Sequence, residues 1–83
     1  MAELTSMRNI GQTMAKKLTV AGIKTPEELR DAGSKDAFFR IKTLYPEVCL
    51  VHLYALEGAI TDTDYNQLTE AVKKDLKSFS DRM

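Results

Sequence analysis

Apolar residues recur along the chain at the three- and four-residue spacing that is typical of helices, and no run shows the alternation that indicates a strand. Leu4 and Met7 lie on one face of a short first helix. A helix over residues 12–21 places Met14 and Leu18 towards the core. The longest apolar stripe lies near the C-terminus, at Tyr65, Leu68, Val72, Leu76 and Phe79. The pattern predicts an all-α protein, a compact bundle of about five helices.

Glycine, asparagine and proline mark the breaks between these helices. Residues 9–11 (Asn-Ile-Gly) form a predicted turn, because Asn and Gly tolerate backbone angles that other residues avoid. Gly22 and Gly33 follow helical stretches at the place where a glycine commonly ends a helix. Pro46 separates the fourth helix from the fifth. The breaks leave no linker, so residues 1–83 are predicted to form a single domain.

Three places carry the sequence pattern of a helix start. Thr25 is expected to cap the third helix, with Pro26 in the first helical position and Glu28 as the acid of a capping box. Ser34 is expected to cap the fourth helix. Residues 61–64 (Thr-Asp-Thr-Asp) resemble another capping box, so the last helix is predicted to follow them directly.

The fifth helix is predicted from Pro46 or Glu47 to Ile60, and it is apolar on nearly every side, which is typical of a buried central helix. Cys49 is assigned to the core. Gly58 inside a helix costs roughly 1 kcal/mol relative to alanine, so we expect a neighbouring helix to pack closely against it.

The formal net charge of zero argues against strong non-specific binding to nucleic acid. The charge is nevertheless unevenly distributed. Residues 1–42 hold eight basic and five acidic side chains, whereas residues 43–83 hold four basic and seven acidic ones. The turn at residues 9–11 therefore lies in the basic half of the chain.

The sequence also limits the cellular location. The single cysteine excludes an internal disulfide bond and fits a reducing cytoplasm. The first residues turn polar too soon for a signal peptide. The longest apolar run, residues 48–55, is far shorter than the ~20 residues of a membrane span. We expect a cytoplasmic protein without a membrane partner.

Five short blocks of the chain resemble the C-terminal domain of the TfoX/Sxy family, and the resemblance extends over residues 4–76. The last block (Leu-Tyr-Ala-Leu-Glu-Gly-Ala-Ile) makes it specific. The blocks are Leu4 with Asn9-Ile10-Gly11, Ala21-Gly22-Ile23, Thr25 with Glu28-Leu29, Gly33 with Ala37-Phe38, and residues 53–60.

This resemblance implies a bacterial regulator of competence for DNA uptake that acts as a transcriptional co-activator and not as an enzyme. It also implies an all-helical domain related to helix-hairpin-helix folds. The sequence would then correspond to the C-terminal domain without the family's N-terminal domain. Tyr65 lies where the family often has a tryptophan, a difference that mainly concerns packing.

Residues 9–17, which we call the hairpin, are the candidate nucleic-acid site. Free N–H groups at a helix N-terminus favour a phosphate, and lysines one turn later can pair with neighbouring phosphates. By analogy with helix-hairpin-helix proteins, such binding would not depend on base sequence. Alternatively, the turn only connects two helices, with Ile10 packed inward. The candidate DNA-binding residues are Asn9, Ile10, Gly11, Gln12, Thr13, Lys16 and Lys17.

Phe39 is the candidate residue for a protein interface. Phe38 and Ile41 define the inward face of the predicted fourth helix, which leaves Phe39 outside it. An outward Phe39 would mark a contact with a protein partner or with a second copy of the chain. The other aromatic residues have the helical spacing of core positions and are assigned to the core.

The sequence contains no motif that indicates catalysis. There is no nucleophile and base arrangement, no phosphate-binding glycine loop and no metal-ligand spacing, so we expect no cofactor and no small-molecule substrate. His52, the only histidine, is predicted to be half-buried and hydrogen-bonded. Protein contacts are therefore the leading functional interpretation, and DNA binding through the phosphate backbone is the alternative.

Overall fold

The computed structural model describes residues 3–82 and confirms the all-α prediction, with five α-helices and no strand in that part of the chain. Two short 3₁₀ helices accompany them, at Leu4–Ser6 and Tyr65–Gln67. The α-helices are α1 (Gln12–Val20), α2 (Pro26–Ala32), α3 (Ser34–Leu44), α4 (Leu50–Thr61) and α5 (Glu70–Asp81).

Helix α4 contacts both α3 and α5, while α2 packs mainly on α3 and α1 also contacts α3. The apolar stripes predicted from the sequence face one another in this arrangement, and burying them is the main favourable term in folding. The largest fully buried side chains are Phe38, Leu18, Ile23, Leu29, Ile41, Leu53, Leu56, Leu76, Val48 and Pro26.

The end of α1 confirms the prediction for Gly22. Its φ of 93° is an angle that residues with a Cβ rarely adopt. This angle allows the Ile23 N–H to donate to the carbonyl of Leu18 at 2.8 Å, while the Gly22 N–H donates to that of Thr19 at 3.0 Å. The two bonds form a Schellman motif, which satisfies carbonyls at the helix end and turns the chain towards α2.

The start of α2 confirms Thr25 as the cap, because the Glu28 N–H donates to the Thr25 hydroxyl at 3.1 Å. The Glu28 carboxylate accepts from the Lys24 N–H at 3.0 Å, one residue before the position that a capping box uses. The prediction for Ser34 was wrong. Ser34 is the first residue of α3, it is buried, and its hydroxyl donates to the Glu57 carboxylate on α4 at 2.7 Å.

The predicted start of the last helix was also wrong. Thr61 still belongs to α4, and its hydroxyl donates to the Glu57 carbonyl at 2.9 Å instead of capping a new helix. Asp64 caps only the short 3₁₀ helix that follows it. Helix α5 begins at Glu70, where the Thr69 hydroxyl accepts from the Val72 N–H at 3.2 Å.

Helix α4 is shorter and less enclosed than its composition suggests. It begins at Leu50, because the chain after Pro46 first makes a turn that buries Val48. Cys49 is exposed, so its assignment to the core was wrong. Val51 is also exposed, whereas Leu53 and Leu56 are fully buried. An apolar composition on all sides therefore does not place this whole helix in the core.

Candidate functional site

The turn before α1 is held by the side chain of Asn9. Asn9 adopts the left-handed backbone conformation, with φ of 71°, which Asn tolerates better than most residues with a Cβ. Its Nδ2 donates to the Thr63 carbonyl at 2.9 Å, and its Oδ1 accepts from the Tyr65 N–H at 3.4 Å. The hairpin is thereby fixed to the turn between α4 and α5.

Gly58 makes this contact possible. A Cβ at Gly58 would overlap the Thr63 carbonyl oxygen and the Asn9 amide nitrogen. The Thr63 N–H donates back to the Gly58 carbonyl at 2.7 Å, so the chain leaving α4 lies directly over this glycine. A close approach was predicted here correctly, but the prediction of a neighbouring helix was wrong: a loop and one side chain pack against Gly58.

The N-terminus of α1 opens into a shallow groove of about 280 Å³. Gly11 precedes the helix in an extended conformation and provides no capping side chain. The first backbone bond of the helix runs from Ala15 to Gly11 at 3.0 Å, so the N–H groups of the residues between them have no partner within the helix. The groove is lined by Asn9, Gly11, Gln12, Thr13, Met14, Lys17 and His52.

His52 reaches this groove from α4 and was not among the predicted site residues. It is half-buried and hydrogen-bonded, as predicted, and its Nδ1 accepts from the Cys49 N–H at 3.1 Å. Nδ1 also lies 3.3 Å from the Cys49 carbonyl oxygen, so its role depends on the tautomer. In the tautomer in which Nδ1 accepts from the Cys49 N–H, Nε2 carries the ring proton and is a hydrogen-bond donor. No local sequence pattern connects His52 with the hairpin, since only the folded chain brings them together.

The predicted site residues differ in what they can offer a ligand. The Asn9 side chain is occupied by its bonds to the turn, and Ile10 is buried, as the alternative interpretation expected. Lys17 is drawn towards the Glu47 carboxylate at 3.8 Å, and its ammonium lies over the Tyr45 ring at 5.2 Å. Lys16 is exposed but does not line the groove.

The uneven charge of the sequence is partly compensated in the fold. Three basic residues of the N-terminal half pair with acids of the C-terminal half, which offsets part of the basic excess. These pairs are partly exposed and contribute little stability each. They are Arg8–Asp62 at 3.4 Å, Lys17–Glu47 at 3.8 Å and Lys35–Asp75 at 2.7 Å.

A second cluster of lysines lies on α5, beside Tyr54 and Glu70, where Lys73, Lys74 and Lys77 line another surface groove. The hydrogen bond from Lys77 to Asp81, together with the charge of that carboxylate, raises the pKa of Lys77. This pairing joins residues four positions apart on the helix surface, at 2.9 Å, and keeps Lys77 protonated.

Phe39 points outward from α3, as predicted, and 53% of it is exposed. Its neighbours Phe38 and Ile41 are fully buried on the opposite face. Tyr65, which was assigned to the core, is exposed, so that assignment was wrong. Among residues 3–82, the large apolar residues that the fold leaves exposed are Val20, Phe39, Leu44, Val51 and Tyr65.

Metal and membrane features are absent from the described residues. Nowhere in residues 3–82 do three His, Cys, Asp or Glu side chains come close enough together to hold a metal ion. None of the helices within this range has the length and apolar character needed to cross a membrane.

Fold and groove together define a small all-α domain with an uncapped helix N-terminus and several exposed apolar side chains. The model of the TfoX C-terminal domain matches residues 1–80, so this chain belongs to the TfoX C-terminal domain family. This is a family of regulatory domains and not a known enzyme family. No curated protein sequence is significantly similar to the chain.

Two solved structures share the fold closely. An uncharacterized protein from Listeria monocytogenes, in a triclinic crystal form, is 47% identical with a TM-score of 0.95, over 98% of this chain and 92% of that one. A protein of unknown function from the same organism, in a tetragonal form, is 47% identical with a TM-score of 0.92, over 95% of this chain and 96% of that one.

Proposed function

We propose that this chain is a non-enzymatic regulatory domain of the TfoX type, which acts through protein contacts in the bacterial cytoplasm and serves the regulation of competence. Membership of the family supports the regulatory role. The exposed thiol of Cys49 is compatible with a reducing compartment. The observation that carries the protein-contact mechanism is the outward position of Phe39.

Phe39 belongs neither to the buried core nor to the partly buried residues that pack against it, so the core does not explain an aromatic residue at its position. It lies between the exposed Asp36 and Arg40, on the side of α3 turned away from the core. Large aromatic residues surrounded by polar ones are typical of the few positions that dominate binding energy in protein interfaces. The pairing of Lys17 with Glu47 also reduces the positive charge available to DNA, which favours a protein partner.

A photoreactive phenylalanine analogue at position 39, introduced in bacterial cells at the native expression level, is expected to give a discrete crosslinked protein adduct. The same analogue at Lys74, which is exposed on α5, serves as the control and should give none. We also expect Phe39→Ser to change the free energy of unfolding by less than about 1 kcal/mol, because 53% of the residue is exposed and it lies outside the core cluster. The absence of any adduct specific to position 39 would contradict the proposal.

DNA binding through the hairpin is the second candidate, favoured by the uncapped N-terminus of α1. A phosphate in this groove would accept from the free N–H groups of the first helical turn. Lys17 and His52 line the same groove and are the nearby side chains that would add to this binding. Such contacts read the phosphate backbone and give little sequence preference.

Gly11→Asp should separate these two candidates, because an aspartate at this position caps α1 and repels a phosphate. Nothing lies within 4 Å of a Cβ at Gly11, so the side chain fits. We expect the free energy of unfolding to rise by about 0.5–1 kcal/mol, while any DNA affinity falls about tenfold or more. Urea unfolding and fluorescence anisotropy with duplex and single-stranded DNA, at low and physiological salt, measure the two effects.

Thr69→Asp is the matched control, since it adds the same charge at the start of α5, where a cap is already present. It should leave DNA binding unchanged. If the wild-type protein fails to bind DNA even at low salt, or if both variants weaken binding equally, the hairpin is not a phosphate site.

A further inference from the structure

The outer face of α3 presents a continuous row of exposed side chains. Asp36, Phe39, Arg40 and Thr43 are all exposed, and their three- and four-residue spacing puts them on one side of the helix. We propose that this face pairs with the same face of a second copy of the chain, with the two α3 helices antiparallel and the two-fold axis beside Phe39. This inference rests on the proposed function and identifies the protein partner as a second copy of the chain.

The charged residues on this face can pair with the same residues of a second copy. In a two-fold interface the same patch on both copies must fit its own image. Asp36 precedes Phe39 and Arg40 follows it, so an antiparallel arrangement places Asp36 of one copy beside Arg40 of the other. A parallel arrangement would instead oppose like charges, which is unfavourable.

The same two residues already form an ion pair within the helix, between the Arg40 Nη2 and an Asp36 carboxylate oxygen at 2.9 Å. Their side chains are 45% and 47% exposed, so small rotations bring them to a second copy. Exchanging the ion pair within one helix for an ion pair between two copies changes the Coulomb energy little. These charges therefore determine the orientation of the two α3 helices and add little to the affinity. Burial of the two Phe39 rings supplies the attraction.

This face fits a second copy better than it fits a nucleic acid. A carboxylate at Asp36 repels phosphate, and an exposed phenylalanine beside an ion pair is not a backbone-binding surface. Antiparallel helices also bring the N-terminal end of one α3 to the C-terminal end of the other, where the helix dipoles attract. One helix face of 11 residues buries less than the ~1,000 Å² of a stable interface, so the dimer is weak and depends on concentration.

Charge-reversal variants test this geometry directly. Their self-association is measured by sedimentation equilibrium at protein concentrations up to about 1 mM. Asp36→Arg alone and Arg40→Glu alone should each weaken self-association by about tenfold, because each opposes like charges across the axis. An equimolar mixture of the two variants should associate again, with an affinity close to that of the wild type. Phe39→Ser should abolish association both alone and when combined with either charge variant in the mixture.

The control reverses two charges on α2, where Glu27 and Arg30 are exposed. Glu27→Arg, Arg30→Glu and their mixture carry the same net charges as the test proteins and should associate like the wild type. Circular dichroism verifies that every variant is folded. A wild-type protein that stays monomeric throughout, or an α3 mixture that stays dissociated, would overturn the antiparallel dimer.

The crosslinking experiment separates this inference from the proposed function. An adduct of the mass of two copies at position 39 supports both. An adduct with a different protein, together with a monomeric wild type, overturns the dimer and leaves the proposed function standing. The absence of any adduct at position 39, together with a wild type that stays monomeric in sedimentation equilibrium, overturns both.

Discussion

Gly58→Ala is expected to lower the free energy of unfolding by about 2–3 kcal/mol, although alanine is the better helix former by roughly 1 kcal/mol. The added methyl group would overlap the Thr63 carbonyl oxygen and the Asn9 amide. The Thr63 oxygen belongs to the backbone, and the N–H of the same residue is bonded to the Gly58 carbonyl at 2.7 Å. The whole turn after α4 must therefore move to accept the methyl group.

Urea unfolding followed by circular dichroism measures this effect, and in a thermal melt it corresponds to a loss of about 10 °C or more. Gly11→Ala is the matched control, because it is the same chemical change at a position where a Cβ meets nothing within 4 Å. It should cost less than about 1 kcal/mol, mainly through the poorer N-cap. Equal losses for the two variants would show that the turn over Gly58 moves easily.

Asn9→Ala should destabilise the protein by about 2–3 kcal/mol, because it removes two hydrogen bonds and leaves an alanine in the left-handed conformation. The bonds that disappear are those to the Thr63 carbonyl at 2.9 Å and from the Tyr65 N–H at 3.4 Å. Asn9→Gly removes the same bonds without the backbone strain, so it should cost about 1 kcal/mol less than alanine. The same urea titration compares the three proteins.

A double variant tests whether Asn9 and Gly58 act as one unit. In Asn9→Gly/Gly58→Ala the amide that the new methyl group would overlap is already gone. We therefore expect the loss in the double variant to be smaller than the sum of the two single losses by about 0.5–1 kcal/mol. Additive losses would mean that only the Thr63 carbonyl opposes the methyl group at position 58.

The sequence predicted best where the signal was local. Gly22 ends α1 through bonds made within six residues, and Thr25 caps α2 through a neighbour three positions away. Such interactions are determined by residue type and spacing alone. The inward faces of α1 and α3, including Leu18 and Phe38, followed from helical spacing in the same way.

The sequence failed where two local patterns competed. Residues 61–64 and Thr69 both have the composition of a helix start, but the first pattern is overridden because Thr61 continues α4 and the chain then turns over Gly58. The prediction for Ser34 failed for a related reason, because its hydroxyl donates a hydrogen bond to the Glu57 carboxylate on another helix. The turn after α4 is held by Asn9, 54 positions away, and the Ser34 hydroxyl by Glu57, 23 positions away, so no short window of sequence contains these contacts.

In the candidate site, too, local features could be predicted from the sequence and contacts between distant residues could not. Its backbone part, Gly11 to Thr13, was predicted from the turn and the helix start. His52 and the contacts of Asn9 were not, because they join residues from about 35 to 54 positions apart in the sequence. The pairing of Lys17 with Glu47 likewise could not be read from the uneven charge of the two halves.

The bond between Asn9 and Thr63 spans 54 positions of sequence, and this distance has a consequence for biosynthesis. A nascent chain that has left the ribosome only as far as α3 already contains α1, but it lacks both His52 and the turn that holds Asn9. Contacts this distant in sequence form late, because the intervening loop must close first. The groove at α1 is therefore organised only after residues 63–65 have emerged, and shorter nascent chains lack it.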